Sequence, residues 1–372
     1  MKVGITGVNG FIGSYLKLVF SSDTKIEIVA FDRSFFEKPL LMDSFVTECD
    51  VVIHAASVIR HEDNDFLYKE NIALTKSLLN AIHRTNSRSD LVFISTIQHD
   101  ADTAYGKSKR DSEVLFSDSF NNNRGHLLIL RLPGIFGENQ TPYFNGVVPT
   151  FCSEILGGEK SKINEGAHVE LLHVRHVVRY CLEYVFSEHK KQVEVLRPEG
   201  ISIGICDLYE ILTSFKLYRE SNGTIPKLEG ILEIDLFNTF RYFESISKGI
   251  AVFDIFTHAD ERGGLCEVVK SNISGQVFYS SSKEGVTRGN HYHTRKIERF
   301  CIIGGEGTII IRNLFTNQVF EIVVTGKAPQ AVDMPTCHVH SLKNTGSGEL
   351  LSIFWVNEFF DPSDSDTYYV IK

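Results

Sequence analysis

Two groups of residues have types and spacings that chemistry requires, and they lie at opposite ends of the 372-residue chain. In the first group, Tyr105 and Lys109 are four residues apart and follow an apolar run that ends in Ser95 and Thr96. On a helix such a pair shares one face, so the ammonium can lower the pKa of the phenol and make it a proton donor for a carbonyl under reduction. Either hydroxyl can hydrogen-bond the same carbonyl oxygen, and Thr96 is preferred over Ser95.

A glycine-rich segment near the start completes this group. It follows a short apolar run and precedes a stretch with helical apolar spacing. In this order Gly7 permits a tight turn, Gly10 lets the backbone approach a pyrophosphate, and Gly13 lets the helix pack close to the strand. Free N–H groups at the helix start then bind the phosphates. The loop residues predicted to bind a dinucleotide are Gly7, Asn9, Gly10, Phe11, Ile12 and Gly13.

Asp32 and Arg33 stand at the end of the second predicted strand. An acid about 20 residues after the glycine loop binds the ribose hydroxyls of a dinucleotide. A guanidinium beside it holds the 2′-phosphate that distinguishes NADPH from NADH. We therefore expect NADPH as the cofactor and keep NADH as the alternative.

The second group comprises three histidines and one glutamate near the C-terminus. His291 and His293 are two residues apart, so on a strand both face one interior, and Glu298 from the next strand can add an oxygen. His340 supplies a third imidazole. This donor set suits Zn, Fe, Mn or Ni, and ligand type alone does not choose among them. We predict a divalent metal held by His291, His293, Glu298 and His340.

The elements that must position these groups differ between the two ends of the chain. Apolar runs that read as buried strands alternate with helical patterns in the first part, which predicts βαβ units and a parallel sheet. From residue 252 onward, strand-like runs are separated by Gly, Asn and Ser turns without a long helix, which predicts an all-β barrel or sandwich. We place one domain at residues 1–245 and a second at residues 250–372.

Composition excludes several classes of protein. Hydrophobic residues make up 42% and charged residues 23%, as in ordinary globular chains, and a net charge of -9 argues against nucleic-acid binding through a basic face. Seven cysteines without a CxxC pair fit reduced thiols. The first apolar run is broken by glycines, unlike a signal peptide, and no window approaches a membrane span. We expect a cytoplasmic protein without nucleic-acid or membrane partners.

The N-terminal features resemble the extended short-chain dehydrogenase/reductase family, most of whose members act on nucleotide-linked sugars. The resemblance implies a Rossmann-like α/β domain with a sugar-nucleotide substrate subdomain inside residues 1–245. The sequence departs from the family pattern at Arg175 and His176, where family members usually carry aspartates. The residues after the third predicted strand match the family's wall of the cofactor site and are His54, Ala55 and Ala56.

The C-terminal pattern resembles the two motifs of the cupins, which implies a jelly-roll barrel and, by analogy, Zn as the metal. Residues 287–292 also resemble the active-site strand of deoxysugar 3,5-epimerases, which work without a metal. His291 is therefore open as a ligand, as a base, or as both. Arg288 and Lys296 either contact a diphosphate or enolate or are solvated loop charges.

Over nearly its whole length the chain resembles the bifunctional enzymes of capsule and O-antigen synthesis. That resemblance implies C3 epimerisation of a UDP-linked 4-keto-6-deoxy-HexNAc in the cupin domain. NADPH-dependent reduction of the C4 ketone would follow, with Tyr105 as acid and Lys109 tuning it. The implied product is UDP-2-acetamido-2,6-dideoxy-β-L-talose, on the path to N-acetyl-L-fucosamine, and the implied assembly is a homodimer.

Two other functions stay open at the level of sequence. One is a reductase or epimerase of a different nucleotide sugar, with the cupin as a structural module. The other is a non-catalytic cofactor sensor, against which the intact pair of Tyr105 and Lys109 argues because degenerate relatives tend to lose it.

Overall fold

The computed structural model describes residues 1–121, 125–188 and 191–370 and divides into two compact units. The first unit consists of Met1–Phe136, Phe144–Gly146 and Val169–Ile203. The second consists of Gly137–Tyr143, Val147–His168 and Gly204–Lys372. The domain boundary that the sequence predicts, at residues 245–250, lies where mixed α/β structure changes to all-β structure. The second compact unit begins earlier and also contains several helices that precede the barrel.

Strands of the first unit follow the buried apolar runs of the sequence. They are β1 (Lys2–Thr6), β2 (Glu27–Val29), β3 (Val51–His54), β4 (Asp90–Thr96), β5 (Leu127–Leu132), β6 (Gly134–Phe136), β7 (His168–His173), β8 (Val193–Leu196) and β9 (Ile201–Gly204). Six of them form a parallel sheet in the order β2-β1-β3-β4-β5-β8, and β6, β7 and β9 form a smaller sheet. The strand order reverses at β1, and ligands of such sheets bind at this switch point.

Helices lie between these strands and after them in the chain. They are α1 (Phe11–Phe20), α2 (Pro39–Glu48), α3 (Asn64–Thr85), α4 (Ala104–Phe120), α5 (Val147–Gly157), α6 (Val174–Phe186), α7 (Ile205–Ser214), α8 (Leu217–Glu220) and α9 (Ile231–Lys248), with 3-10 turns at Arg33–Glu37 and Ile97–Asp100. Helices α2, α3 and α4 share one apolar cluster with β3, β4 and β5, in which Phe45, Phe93 and Phe116 are almost fully buried. No helix among the described residues is long and apolar enough to cross a membrane.

The second unit is dominated by antiparallel strands. They are β10 (Val252–Asp254), β11 (Thr257–Asp260), β12 (Gly263–Cys266), β13 (Gln276–Ser282), β14 (Thr287–Tyr292), β15 (Glu298–Gly304), β16 (Glu306–Asn313), β17 (Val319–Thr325), β18 (Gln330–Met334), β19 (His338–Asn344), β20 (Leu350–Val356) and β21 (Tyr368–Tyr369). Two five-stranded sheets, β10-β18-β15-β20-β13 and β17-β16-β19-β14-β21, enclose one apolar core, as in a jelly-roll barrel.

Helix α9 belongs to this second unit through polar contacts with the barrel. The Asn238 side chain donates to the Arg295 carbonyl (2.7 Å), and Arg241 donates to the Met334 carbonyl (2.8 Å). A buried guanidinium–carboxylate pair on the neighbouring strands β15 and β18 also contacts α8, whose tyrosine donates a hydrogen bond to the carboxylate. These contacts explain why α9 belongs to the same compact unit as the strands that follow it.

Candidate dinucleotide-binding site and metal centre

The glycine loop joins β1 to α1 at the switch point of the parallel sheet. Gly7 has φ +70, and a Cβ there would lie 2.7 Å from the Ala56 backbone. A Cβ on Gly13 would lie 2.1 Å from the Gly7 carbonyl oxygen, so only glycine allows this approach of helix to strand. Gly10 precedes the helix without a side-chain cap. The exposed backbone N–H groups of the first turn fit a pyrophosphate, which supports a dinucleotide at this loop.

The remaining cofactor candidates lie in different environments. Asp32 is exposed, and hydrogen bonds with the Ser34 side chain and with the Ser34 N–H (2.9 Å) lower the pKa of its carboxyl. Arg33 is also exposed and lies 3.6 Å from Glu70. Both side chains are therefore accessible to an adenosine ribose.

The His54 ring lies inside the core at the end of β3. It is 1% exposed, stacks on Phe93 and hydrogen-bonds Thr6 Oγ1 through Nδ1 (2.8 Å). Burial, with the nearby charge of Lys109, lowers its pKa to about 3. Ala55 and Ala56 are half-buried at the strand end, and Ala56 is the residue that faces the glycine loop.

Tyr105 and Lys109 lie one turn apart on α4, as their spacing predicts. The Lys109 Nζ donates to the Ile94 carbonyl (2.8 Å) and lies 5.8 Å from the centre of the Tyr105 ring. Burial lowers the pKa of Lys109 to about 7, against the raising effect of Glu113. Burial raises the pKa of Tyr105 to about 12, opposed by a hydrogen bond with Ser57. Desolvation is therefore the largest influence on the pKa of both groups, and the lowering of the Tyr105 pKa by Lys109 stays a prediction.

Ser95 and Thr96 end β4, and the structure distinguishes their hydroxyls. Ser95 donates its proton to Glu113 (2.5 Å), which also receives two hydrogen bonds from Arg131, the shorter at 2.6 Å. Thr96 Oγ1 accepts from Gln98 N–H (3.2 Å), and no acceptor for its own proton is found among the described residues. Thr96 therefore keeps a proton to donate to a substrate, whereas Ser95 does not.

The predicted metal ligands meet in the barrel. Their ligand atoms all lie within 4.8 Å of one another, and no other such group of His, Cys, Asp and Glu is found in the part of the chain that the structure describes. His291 and His340 come from neighbouring strands β14 and β19 of one sheet, and Glu298 begins β15 of the other. Glu298 Oε2 lies 3.2 Å from His293 Nε2 and 3.1 Å from His340 Nε2.

The histidines present one nitrogen to the cluster and anchor the other. The Nδ1 of His293 donates to the Asp366 carbonyl (2.5 Å), and the Nδ1 of His340 donates to the His338 carbonyl (3.2 Å). The Nε2 of His340 is buried and faces Glu298 Oε2 across the cluster. Metal-ligating histidines are oriented by such second hydrogen bonds, which leave their other nitrogen directed at the cation site.

The charges of the cluster also fit a cation. Burial raises the pKa of the Glu298 carboxyl, but hydrogen bonds from His293 and His340 outweigh it and hold the pKa well below its usual range. Burial lowers the pKa of His291 to about 3, helped by the charges of the other two histidines. An ionised carboxylate beside a neutral imidazole is the form in which both bind metal.

Arg288 and Lys296, which either contact a diphosphate or enolate or are solvated charges, lie in different environments. Arg288 is exposed and donates to Ser282 Oγ (2.9 Å). Lys296 is 6% exposed, and its Nζ donates to the Ser365 carbonyl (2.5 Å). This buried position does not fit a solvated loop charge, whereas a contact of Lys296 with a diphosphate or an enolate stays a prediction.

Sequence reasoning missed two acidic residues that hold these sites together. Glu113 lies four residues after Lys109, so helical spacing gives a signal for it. Asp366 lies more than 70 residues from the loop that it binds, and no local pattern marks it.

Comparisons with known proteins agree with both halves of the chain. Residues 3–195 match the NAD dependent epimerase/dehydratase family, and residues 258–368 match the polysaccharide biosynthesis C-terminal domain. The chain belongs to the NAD dependent epimerase/dehydratase family. A relative from Pseudomonas aeruginosa, UDP-2-acetamido-2,6-beta-L-arabino-hexul-4-ose reductase, is 30% identical over 369 residues, which cover 99% of this chain and 98% of the relative.

Solved structures give the same result. The capsular polysaccharide assembling protein CapF from Staphylococcus aureus is 28% identical with a TM-score of 0.61, and the match covers 100% of both chains. RMD from Pseudomonas aeruginosa, solved with NADPH, is 18% identical with a TM-score of 0.55 over 66% of this chain and 99% of its own, which shows the fold alone. The predicted Rossmann-like domain followed by an all-β domain is confirmed, and the chain is an enzyme of the reductase and epimerase class.

Proposed function

We propose that this chain is a bifunctional nucleotide-sugar enzyme of polysaccharide biosynthesis. The barrel epimerises C3 of a UDP-linked 4-keto-6-deoxy-HexNAc, and the Rossmann-like domain then reduces the C4 ketone with NADPH to give UDP-2-acetamido-2,6-dideoxy-β-L-talose. The observation that carries the proposal is the presence of two complete constellations in one chain, Tyr105 with Lys109 and Thr96, and the His/Glu cluster. The name of the full-length relative supports a UDP-linked keto-sugar as substrate.

The reduction uses three side chains. NADPH supplies the hydride when bound at the glycine loop. Tyr105 donates its proton to the carbonyl oxygen as that oxygen gains negative charge, and Thr96 donates a hydrogen bond to the same oxygen. Lys109, held by the Ile94 carbonyl beside the Tyr105 ring, stabilises the phenolate that Tyr105 becomes.

The epimerisation exploits the ketone before it is reduced. A carbonyl at C4 acidifies the C3 proton, so a base removes that proton and the carbon regains one on its opposite face. A divalent cation, Zn²⁺ by analogy with the cupins, would supply positive charge to the cluster when bound. His291, His293, Glu298 and His340 would hold that cation. The alternative role of His291, the most exposed of the four, is that of the base.

One experiment measures both reactions, the reduction at C4 and the proton exchange at C3. The chain is mixed with NADPH and UDP-2-acetamido-2,6-dideoxy-hexos-4-ulose in heavy water, and the product is identified by NMR. We expect NADPH oxidation together with deuterium at C3 of a talo-configured product. Oxidation without label at C3 would leave a reductase with a structural barrel, and no oxidation would overturn this substrate assignment. The TDP-linked sugar serves as the matched control for the nucleotide.

The homodimer stays a prediction from the resemblance, and the cytoplasmic location stays a prediction from the cysteine content and the apolar runs of the sequence. The preference for NADPH is measured by the ratio of kcat/KM for NADPH to that for NADH. The Arg33→Ala chain should lower that ratio, because Arg33 is the exposed guanidinium beside Asp32.

A further inference from the structure

Residues 358–369, which we term the C-terminal clasp, lie against the loop that carries His293. Arg295 in this loop makes two hydrogen bonds with Glu358, each at 3.0 Å. Lys296 donates to a backbone carbonyl of the clasp (2.5 Å). The clasp then continues into β21, which pairs with β14 beside the cluster. The loop between β14 and β15 is thus fixed from a distant part of the chain.

One carboxylate of the clasp binds the loop backbone. Asp366 accepts hydrogen bonds from the N–H groups of Thr294 (3.0 Å), Arg295 (2.9 Å) and Lys296 (3.0 Å), and from the Thr294 hydroxyl (2.7 Å). The side chain is 5% exposed. Hydrogen bonds to an ionised acceptor are stronger than neutral ones. A buried carboxylate that collects three consecutive N–H groups therefore fixes the loop in one conformation.

The backbone of Asp366 acts on a cluster residue directly. Its carbonyl accepts the proton on His293 Nδ1 (2.5 Å), while His293 Nε2 lies 3.2 Å from Glu298. The carboxylate thus holds the loop that bears His293, and the carbonyl of the same residue sets the orientation of its ring. This is the arrangement by which outer residues orient metal-ligating histidines.

We propose that Asp366 is a positioning residue for the metal site, acting through His293. The proposal rests on the metal binding assigned under the proposed function. It predicts that loss of the Asp366 carboxylate weakens metal binding without removing any ligand.

The test is Asp366→Asn in the full-length chain. Asp366 has φ 40, in the left-handed region that asparagine tolerates, so the exchange adds little backbone strain. The amide NH₂ replaces one acceptor oxygen and faces N–H donors of the loop. The affinity for Zn²⁺ is measured by competition with a chromophoric chelator, and the visible spectrum of the Co²⁺ form reports the ligand geometry. We expect affinity to fall about 10- to 100-fold with a changed Co²⁺ spectrum.

Asp364→Asn is the matched control. Asp364 is an exposed acid of the same clasp, and its carboxylate pairs with the Arg295 guanidinium but contacts no loop amide. The two variants lose the same formal charge, and we expect Asp364→Asn to retain Zn²⁺ affinity within about threefold, as for an exposed ion pair. Equal affinity of the wild-type and Asp366→Asn chains would overturn the proposal. Should Asp366→Asn fail to fold, Thr294→Val removes the hydroxyl that donates to Asp366 and contacts Tyr368, keeps the three loop N–H bonds, and should give an intermediate loss.

A readout without metal separates this proposal from the proposed function. In the metal-free chain, NMR measures how fast the His293 Nδ1 proton exchanges with water. We expect slow exchange in the wild type and at least tenfold faster exchange in Asp366→Asn. A wild-type chain that binds no Zn²⁺ would refute the metal assignment, yet the proton exchange would still decide the positioning role, and unchanged exchange would overturn it.

Discussion

The two candidate sites differ in how their residues are held in place. At the parallel sheet, a tight turn shapes the glycine loop, and one helical repeat brings Tyr105 and Lys109 to the same face of α4. In the barrel, the ligand candidates come from separate segments, and one of them, His293, is held by Asp366, 73 residues away. The comparison teaches that the first site depends on local backbone geometry and the second on long-range closure.

Replacement of Tyr105 by Phe should separate the sites most strongly. It removes the proton donor and keeps the ring, so the rate of NADPH oxidation should fall about 10²- to 10⁴-fold. Deuterium exchange at C3 should continue, since it belongs to the barrel. Steady-state kinetics and NMR exchange measure the two effects, and parallel loss of both activities would contradict separate sites.

His340→Ala should produce the opposite pattern. The variant loses a buried ligand candidate. Mutation of residues that only orient metal ligands already lowers metal affinity about 10- to 100-fold, so loss of a ligand should lower Zn²⁺ affinity by at least about 100-fold. Exchange at C3 should be lost while the affinity for NADPH, measured by fluorescence titration, is unchanged. Retention of metal with full exchange would remove His340 from the site.

The two hydroxyls at the end of β4 offer a sharper test within the first site. Thr96→Ala removes a hydrogen bond to a charged oxygen, about 1.5–3 kcal/mol, or roughly 10- to 150-fold in kcat for reduction. Ser95→Ala removes a bond to Glu113 instead and should lower thermal stability, with kcat within about threefold. The reverse ranking in kcat would assign the substrate contact to Ser95.

The pH dependence of reduction should report the burial of Lys109. Its pKa of about 7 means that the ligand-free enzyme loses the ammonium as pH rises through neutrality. We expect kcat/KM for reduction to be level below about pH 7 and to fall about tenfold per unit above it. Because the carboxylate of Glu113 raises that pKa, Glu113→Gln should move the break to lower pH. An unmoved break would show that another group titrates.

Elements with strong local signals were predictable from the sequence. The apolar runs of the sequence at residues 2–6, 127–132 and 350–356 coincide with β1, β5 and β20, and the helical apolar spacing at residues 11–20 coincides with α1. The apolar run at residues 26–31 contains only the shorter strand β2, Glu27–Val29, because pairing with β1 spans three residues. Periodicity therefore locates an element, whereas its partner strands decide where it ends.

The sites divide in the same way. The metal cluster was predictable because its residues follow a regular spacing along strands, so their side chains face one interior and their four ligand atoms lie together. The buried position of His54 and the role of Asp366 were not, because each depends on contacts between segments far apart in sequence. The pKa of Tyr105 also escaped prediction, since it is set by how deeply the surrounding fold buries the phenol.

The central claim is that one chain holds two active sites that work separately on one substrate. The most direct test mixes the Tyr105→Phe chain with the His340→Ala chain, with the keto-sugar and NADPH in heavy water. We predict that neither variant alone forms the labelled talo product and that the mixture does, because each supplies the step that the other lacks. A mixture as inactive as its components would contradict two separate sites.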